Sequence, residues 1–236
     1  MARPPHNLIE ASMVAALRAA FARAVDDGCR CIVLASGLRH FSAGADLAAA
    51  QTGALQQVDF IDFLRYIEQL PIPTVAVVHG LALGGGFELA LACDLIVAAD
   101  TAEVGLVETS LGLFPLMGGI ARVATRAGQA RAKEMVLLGR RYSTATLQQW
   151  GVINQVVKAD ALAETAMALG QQLAAGPTSA YRVIRQIAGH TMSHGVYEAD
   201  ELSLALSADI WHTADARASL ASVRDTGTAS AVFVGA

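Results

Sequence analysis

Two glutamates and two runs of small residues hold most of the chemistry available to this sequence. Glu88 stands two residues beyond the triple glycine Gly84-Gly85-Gly86, and Glu108 ends the apolar stretch Val104-Gly-Leu-Val107. A pair of carboxylates can hold a water between them and exchange its protons as general base and general acid. Taken singly, Glu88 also reads as a helix-dipole partner in a first turn, and Glu108 as a solvated strand end. The triple glycine reads either as a set of helix N-terminal amides free to bind a negative oxygen, or as a tight turn between a strand and a helix. A second small-residue loop, Phe41-Ser-Ala-Gly-Ala-Asp-Leu47, also follows a strand. One amide from each loop, aimed at a single carbonyl oxygen, would form an oxyanion hole. Asp46 in that loop suits a helix cap better than a catalyst.

The elements that carry these residues alternate along the chain. Residues 8–26 read as a helix with Val14, Leu17, Phe21 and Val25 at helical spacing. Residues 31–36 and 74–79 read as strands buried on both faces, with a helix over 55–69 between them. The stretch Gly80–Gly86 reads as a loop leading into a helix at 87–93, followed by strands at 94–99 and 103–107. A helix is expected over 117–139 and a late strand over 152–158. Strands alternating with helices point to an α/β core of parallel strands and crossover helices over 1–158, of the doubly wound kind. Residues 159–236 carry only helical patterns, and the segment from Thr228 onward reads as a loosely ordered tail.

Composition narrows the alternatives. With 54% hydrophobic and 16% charged residues in 236, the chain is expected to fold around a full core. A net charge of −4 gives no electrostatic reason to expect nucleic acid or an anionic membrane as partner. Cys29, Cys31 and Cys93 read as buried thiols of a reducing compartment. The histidines lack ligand spacing, so no metal is expected. No apolar run reaches the length of about 18 residues that a membrane helix needs, and no signal-peptide core is seen, so the chain reads as soluble and cytoplasmic. Neither a P-loop, nor a dinucleotide fingerprint, nor a G-x-S-x-G elbow is present.

In combination these motifs resemble the crotonase superfamily, the enoyl-CoA hydratase/isomerase family, from Asn7 to about Val223. The resemblance rests on Phe41-Ser-Ala-Gly-Ala-Asp46, on Val78-His-Gly-Leu-Ala-Leu-Gly-Gly-Gly-Phe-Glu-Leu-Ala-Leu-Ala-Cys-Asp94, and on Val107-Glu-Thr-Ser-Leu-Gly-Leu-Phe-Pro115 followed by Gly118-Gly119. Ala132-Lys-Glu-Met-Val-Leu-Leu-Gly-Arg140 and Trp150-Gly-Val-Ile-Asn154 are similar too. It implies a spiral of ββα repeats in place of a doubly wound sheet, with a helical C-terminal region that builds homotrimers, commonly paired into hexamers. It further implies that Ala45 and Gly85 supply the oxyanion-hole amides and that Glu88 and Glu108 are the catalytic pair. Ala43, Asp46, Leu47 and Ala48 would line the coenzyme A adenine and pantetheine, with Pro115 at the substrate pocket.

The implied reaction is hydration of a 2-enoyl-CoA to a 3-hydroxyacyl-CoA, as in fatty acid metabolism. Coenzyme A enters as part of the substrate, and no separate cofactor is expected. An enoyl-CoA isomerase working through Glu108 alone and a non-catalytic CoA-binding subunit are the alternatives. Three departures stand out. The family's first β-hairpin normally precedes the Pro4-Pro5-His6-Asn7 stretch and is expected to be missing here. Val107 stands where many hydratases carry proline, and Leu116-Met117 replaces the usual small residues after Pro115.

Overall fold

The two strands that flank each tight turn go to different sheets, and this sets the architecture. In the computed structural model, which describes residues 1–229 and 231–236, β1 (Ile32–Leu34), β2 (Thr74–Val78), β4 (Leu95–Ala99) and β7 (Gln155–Val157) form one parallel sheet in the order β1-β2-β4-β7. A second sheet holds β3 (Leu81–Leu83), β5 (Glu103–Gly105) and β6 (Tyr142–Ser143) in that order, parallel between β3 and β5 and antiparallel between β5 and β6. Two successive passes of the chain, β2 to β3 and β4 to β5, each add one strand to the first sheet, turn sharply, and add the next to the second. That is a spiral of ββα turns, and it replaces the doubly wound sheet expected from alternation alone. The difference lies in residues 81–83. They belong to the stretch read as a loop, and three residues between glycines carry too short a pattern to announce a strand.

Burial explains the strands that were legible. All five residues of β2 are buried, as a continuous β-branched and small apolar run must be when a parallel sheet is covered on both faces. Helix α1 (Ala11–Asp26) packs on α3 (Gln57–Glu68) through Phe21 and Phe63, and α8 (Leu162–Ala174) crosses β1, β2 and β4. The helix expected over 117–139 is two helices, α5 (Gly119–Ala127) and α6 (Gln129–Leu138), broken at Gly128 with φ 83°. A short helix α7 (Thr144–Gln149), capped by the Ser143 hydroxyl, joins β6 to β7.

The C-terminal region is helical, as expected: α9 (Thr178–His194), α10 (Val196–Ile210) and α11 (Ala214–Thr226), with the first two hinged at Gly195. Arg185 of α9 ties this region to the core. Its guanidinium donates to Asp94 Oδ1 at 2.8 Å, to the Ile67 carbonyl at 2.9 Å and to the Leu70 carbonyl. The other Asp94 oxygen accepts the N–H and hydroxyl of Thr74 at 2.7 and 2.8 Å. Residues 231–236 depart from the expected loose tail. Buried Asp215 accepts the N–H groups of Val234 (2.6 Å) and Gly235 (2.9 Å), and Arg30 donates to the Phe233 carbonyl at 3.0 Å. Among the described residues no helix is long and apolar enough to cross a membrane.

Candidate active site

The site begins with a strand-like register that the small-residue loop adopts beside β3. Phe41 N–H donates to the His79 carbonyl (3.0 Å), Ser42 N–H to Leu81 (3.0 Å), and Leu83 N–H to Ser42 (3.1 Å), so that Ser42 pairs with Ala82 in parallel. Three residues further along each chain, Ala45 comes level with Gly85. On its opposite side the loop is held by Ile9, whose N–H donates to Gly44 (2.9 Å) and whose carbonyl accepts from Asp46 (2.8 Å). In a parallel pairing the residue between two such bonds turns its own amide the other way. The Ala45 N–H therefore faces Gly85, and a methyl group placed on Gly85 would lie 3.3 Å from the Ala45 nitrogen.

Gly85 is the first residue of α4 (Gly85–Leu91), where an N–H has no intrahelical acceptor. Neither amide donates to a protein acceptor among the described residues. Gly84, just before, has φ 49° and ψ −125°, a conformation open to glycine alone, and a methyl there would meet Glu108 Oε1 at 2.7 Å. Gly86 is pressed against Ser42, whose Cβ would stand 2.6 Å from an added methyl. The triple glycine is thus a turn, a hydrogen-bond donor and a close packing contact in succession.

Glu88 sits in the first turn of α4 with 1% of its surface exposed. Its Oε1 accepts the N–H groups of Met117 (3.1 Å) and Gly119 (2.8 Å). Burial raises its pKa from 4.5 to about 7; the Gly119 amide opposes the rise, and the nearby Glu108 carboxylate reinforces it. Glu108 is not a solvated strand end. It opens the 3-10 turn Glu108–Leu111, half-buried, with its pKa pushed up by burial. Its Oε2 is buried and has no hydrogen-bond partner among the described residues.

Both carboxylates and both amides face one cavity of about 550 Å³. Of the residues singled out in the sequence, Ala43, Ala45, Leu47, Gly85, Glu88 and Glu108 line it. Asp46, Ala48 and Pro115 do not. Asp46 caps α2 (Leu47–Gln51), accepting the Ala49 N–H at 3.1 Å, and pairs with Arg3 at 3.4 Å. Ala48 is exposed on that helix, and Pro115 is buried beside the wall residue Leu116. Leu111 and Leu113 of the wall went unnoticed in the sequence because an exposed leucine in a turn carries no signal of its own. The Met117 and Gly119 amides that hold Glu88 were equally silent, since backbone donors have no residue type. Among the described residues no group of three or more His, Cys, Asp or Glu side chains could hold a metal ion.

The arrangement can bind a carbonyl oxygen at two N–H groups and move protons at neighbouring atoms through two carboxyls whose affinities for a proton are raised. Comparison with known proteins points the same way. The family model for enoyl-CoA hydratase/isomerase matches residues 1–229. The carnitinyl-CoA dehydratase of Salmonella typhimurium is 40% identical over 191 residues, covering 78% of this chain and 73% of that protein. The enoyl-CoA hydratase subunit I of Geobacillus kaustophilus superimposes with a TM-score of 0.88 at 32% identity, over 98% of this chain and 90% of that one. The enoyl-CoA hydratase of Bacillus anthracis does so at 0.89 and 27%, over 98% and 92%. The chain therefore belongs to the enoyl-CoA hydratase/isomerase family and has the crotonase fold.

Proposed function

We propose that the protein adds water reversibly across the double bond of a 2-enoyl-CoA thioester. The observation that carries this reading is the meeting of two carboxyls and two unengaged amides at one cavity. With the thioester oxygen held by the Ala45 and Gly85 N–H groups, negative charge can develop on that oxygen as an enolate, and carbon 3 becomes electrophilic. One such donor is worth about 2.7–4 kcal/mol of barrier. Glu108, whose Oε2 is free to accept, takes a proton from water as its oxygen bonds carbon 3. The same residue returns a proton to carbon 2. Glu88, pinned by two amides, orients the water and shares the proton traffic. Both carboxyls have their proton affinity raised by burial, which suits groups that take up and return a proton.

The substrate handle in this reading is coenzyme A, and Ala43 and Leu47 lie where its pantetheine would enter. Isomerisation of a 3-enoyl-CoA needs one carboxyl, so a buried second one favours hydration. Glu88→Gln separates the two: hydration of a 2-enoyl-CoA should fall by roughly 10²–10⁴-fold. Persistence of hydration, or a loss confined to a 3-enoyl-CoA, would contradict the assignment.

The carnitinyl-CoA dehydratases among the relatives favour a second reading, in which the acyl group carries a quaternary ammonium. The described cavity wall offers leucines, Val107 and Met117 but no aromatic face for such a cation. An uncharged acyl group fits it better, and turnover of crotonyl-CoA against carnitinyl-CoA decides between them. Homotrimers are the proposed assembly. The exposed apolar side chains Ile184, Met192, Tyr197, Leu204 and Trp211 of the C-terminal helices support association.

A further inference from the structure

The cavity is graded in depth. Its rim is leucine, with Leu111 58% and Leu113 43% exposed. Its floor is Gly84, Gly85, Glu88 and Met117, all buried, Met117 with 5% of its surface exposed. Met117 is fixed there by its own backbone, whose N–H donates to Glu88 Oε1 at 3.1 Å. Its thioether would stand 3.5 Å from a methyl placed on Gly85, the residue whose amide faces Ala45. The side chain therefore fills the space beside both the carbonyl-binding amides and the buried carboxyl. Carbons beyond carbon 4 of an acyl chain would need that same space. The neighbouring Leu116, half-buried, closes the wall on the rim side.

We infer that the Met117 side chain is the end wall of the acyl site, so that the protein selects short, uncharged acyl-CoA thioesters over long ones. The inference deepens the CoA-thioester reading above and rests on its placement of the carbonyl at Ala45 and Gly85. It differs from the alternative in which a long tail leaves past Leu111 and Leu113. Along that apolar route each added methylene would be buried, for roughly a fourfold gain in affinity.

The test is titration calorimetry of the full chain with butyryl-CoA and decanoyl-CoA, saturated thioesters that cannot be hydrated. For the natural sequence decanoyl-CoA should bind no more tightly than butyryl-CoA. Met117→Ala should improve decanoyl-CoA relative to butyryl-CoA by tenfold or more. Met117→Val, which opens a smaller void, should move the ratio in the same direction if the alanine variant does not fold. Met117→Leu, of similar volume, should keep the natural ratio. Affinity climbing with each methylene in the natural protein, or a ratio that the smaller side chains leave unmoved, would overturn the inference. Binding with the expected ratio but no hydration of crotonyl-CoA would sink the hydratase reading and leave the end wall standing. Failure of both thioesters to bind would overturn the two together.

Discussion

At the scale of the residue, Glu88 is where burial and chemistry are most tightly joined. A carboxyl raised from 4.5 to about 7 on folding binds a proton that the unfolded chain has already lost. Its contribution to stability is therefore complete below pH 4.5 and is lost as the pH rises towards 7. The size is about 3 kcal/mol. Unfolding by denaturant at a series of pH values should show this decline, and Glu88→Gln should flatten it across the same window. Gly84 supplies a second prediction. Gly84→Ala places a methyl where Glu108 Oε1 lies 2.7 Å away and forces alanine into a glycine conformation. Hydration should fall roughly a hundredfold as the carboxyl is displaced, with stability lowered by about 1 kcal/mol. The two glutamates and the glycines were legible in the sequence because side-chain type and spacing announce them. Their neighbours at the backbone, the Met117 and Gly119 amides, were not legible, because a backbone donor has no residue type.

At the scale of the element, the alignment of Ala45 with Gly85 depends on a loop behaving as a strand for two residues, held by β3 on one side and by Ile9 on the other. Periodicity cannot show this. Residues 8–10 read as the start of a helix, yet α1 begins at Ala11 and the three before it are spent on the bridge to Ala45. The continuous apolar runs at 74–78 and 95–99 were legible for the opposite reason, since a strand covered on both faces must be apolar throughout. Gly128 ended α5 because a helix cannot pass through its φ of 83°, and glycine within an apolar pattern marks such a break only weakly. The clasp between elements also predicts. Arg185→Met leaves Asp94 without its cation and strips donors from the Ile67 and Leu70 carbonyls. Because the Arg185 side chain is only 8% exposed, the loss should reach about 3 kcal/mol, read as a lower midpoint in urea.

At the scale of the whole molecule, the expected alternation of strands and helices was correct in its parts and incomplete in its assembly. The tight turn at His79-Gly80 sends β2 and β3 to different sheets, and only the family resemblance carried that information into the sequence reading. The C-terminal tail shows the same limit. Residues 231–236 are mostly small and apolar and give no pattern, yet Asp215 gathers two of their amides from a buried position. Asp215→Ala should release them, seen as faster hydrogen exchange at Val234 and Gly235 with hydration of the substrate retained. Charge and apolar exposure on the C-terminal helices belong to this scale too, and sedimentation should give a mass near three times 24.5 kDa.

Hydration at the paired glutamates is tested by the ultraviolet absorbance of the conjugated enoyl thioester when the protein meets crotonyl-CoA, with Glu108→Gln as its control. Absorbance should fall with the natural chain as water adds across the double bond, and Glu108→Gln should slow the fall by roughly 10²–10⁴-fold. Absorbance that stays constant while crotonyl-CoA is bound, or a fall that Glu108→Gln leaves untouched, would contradict it.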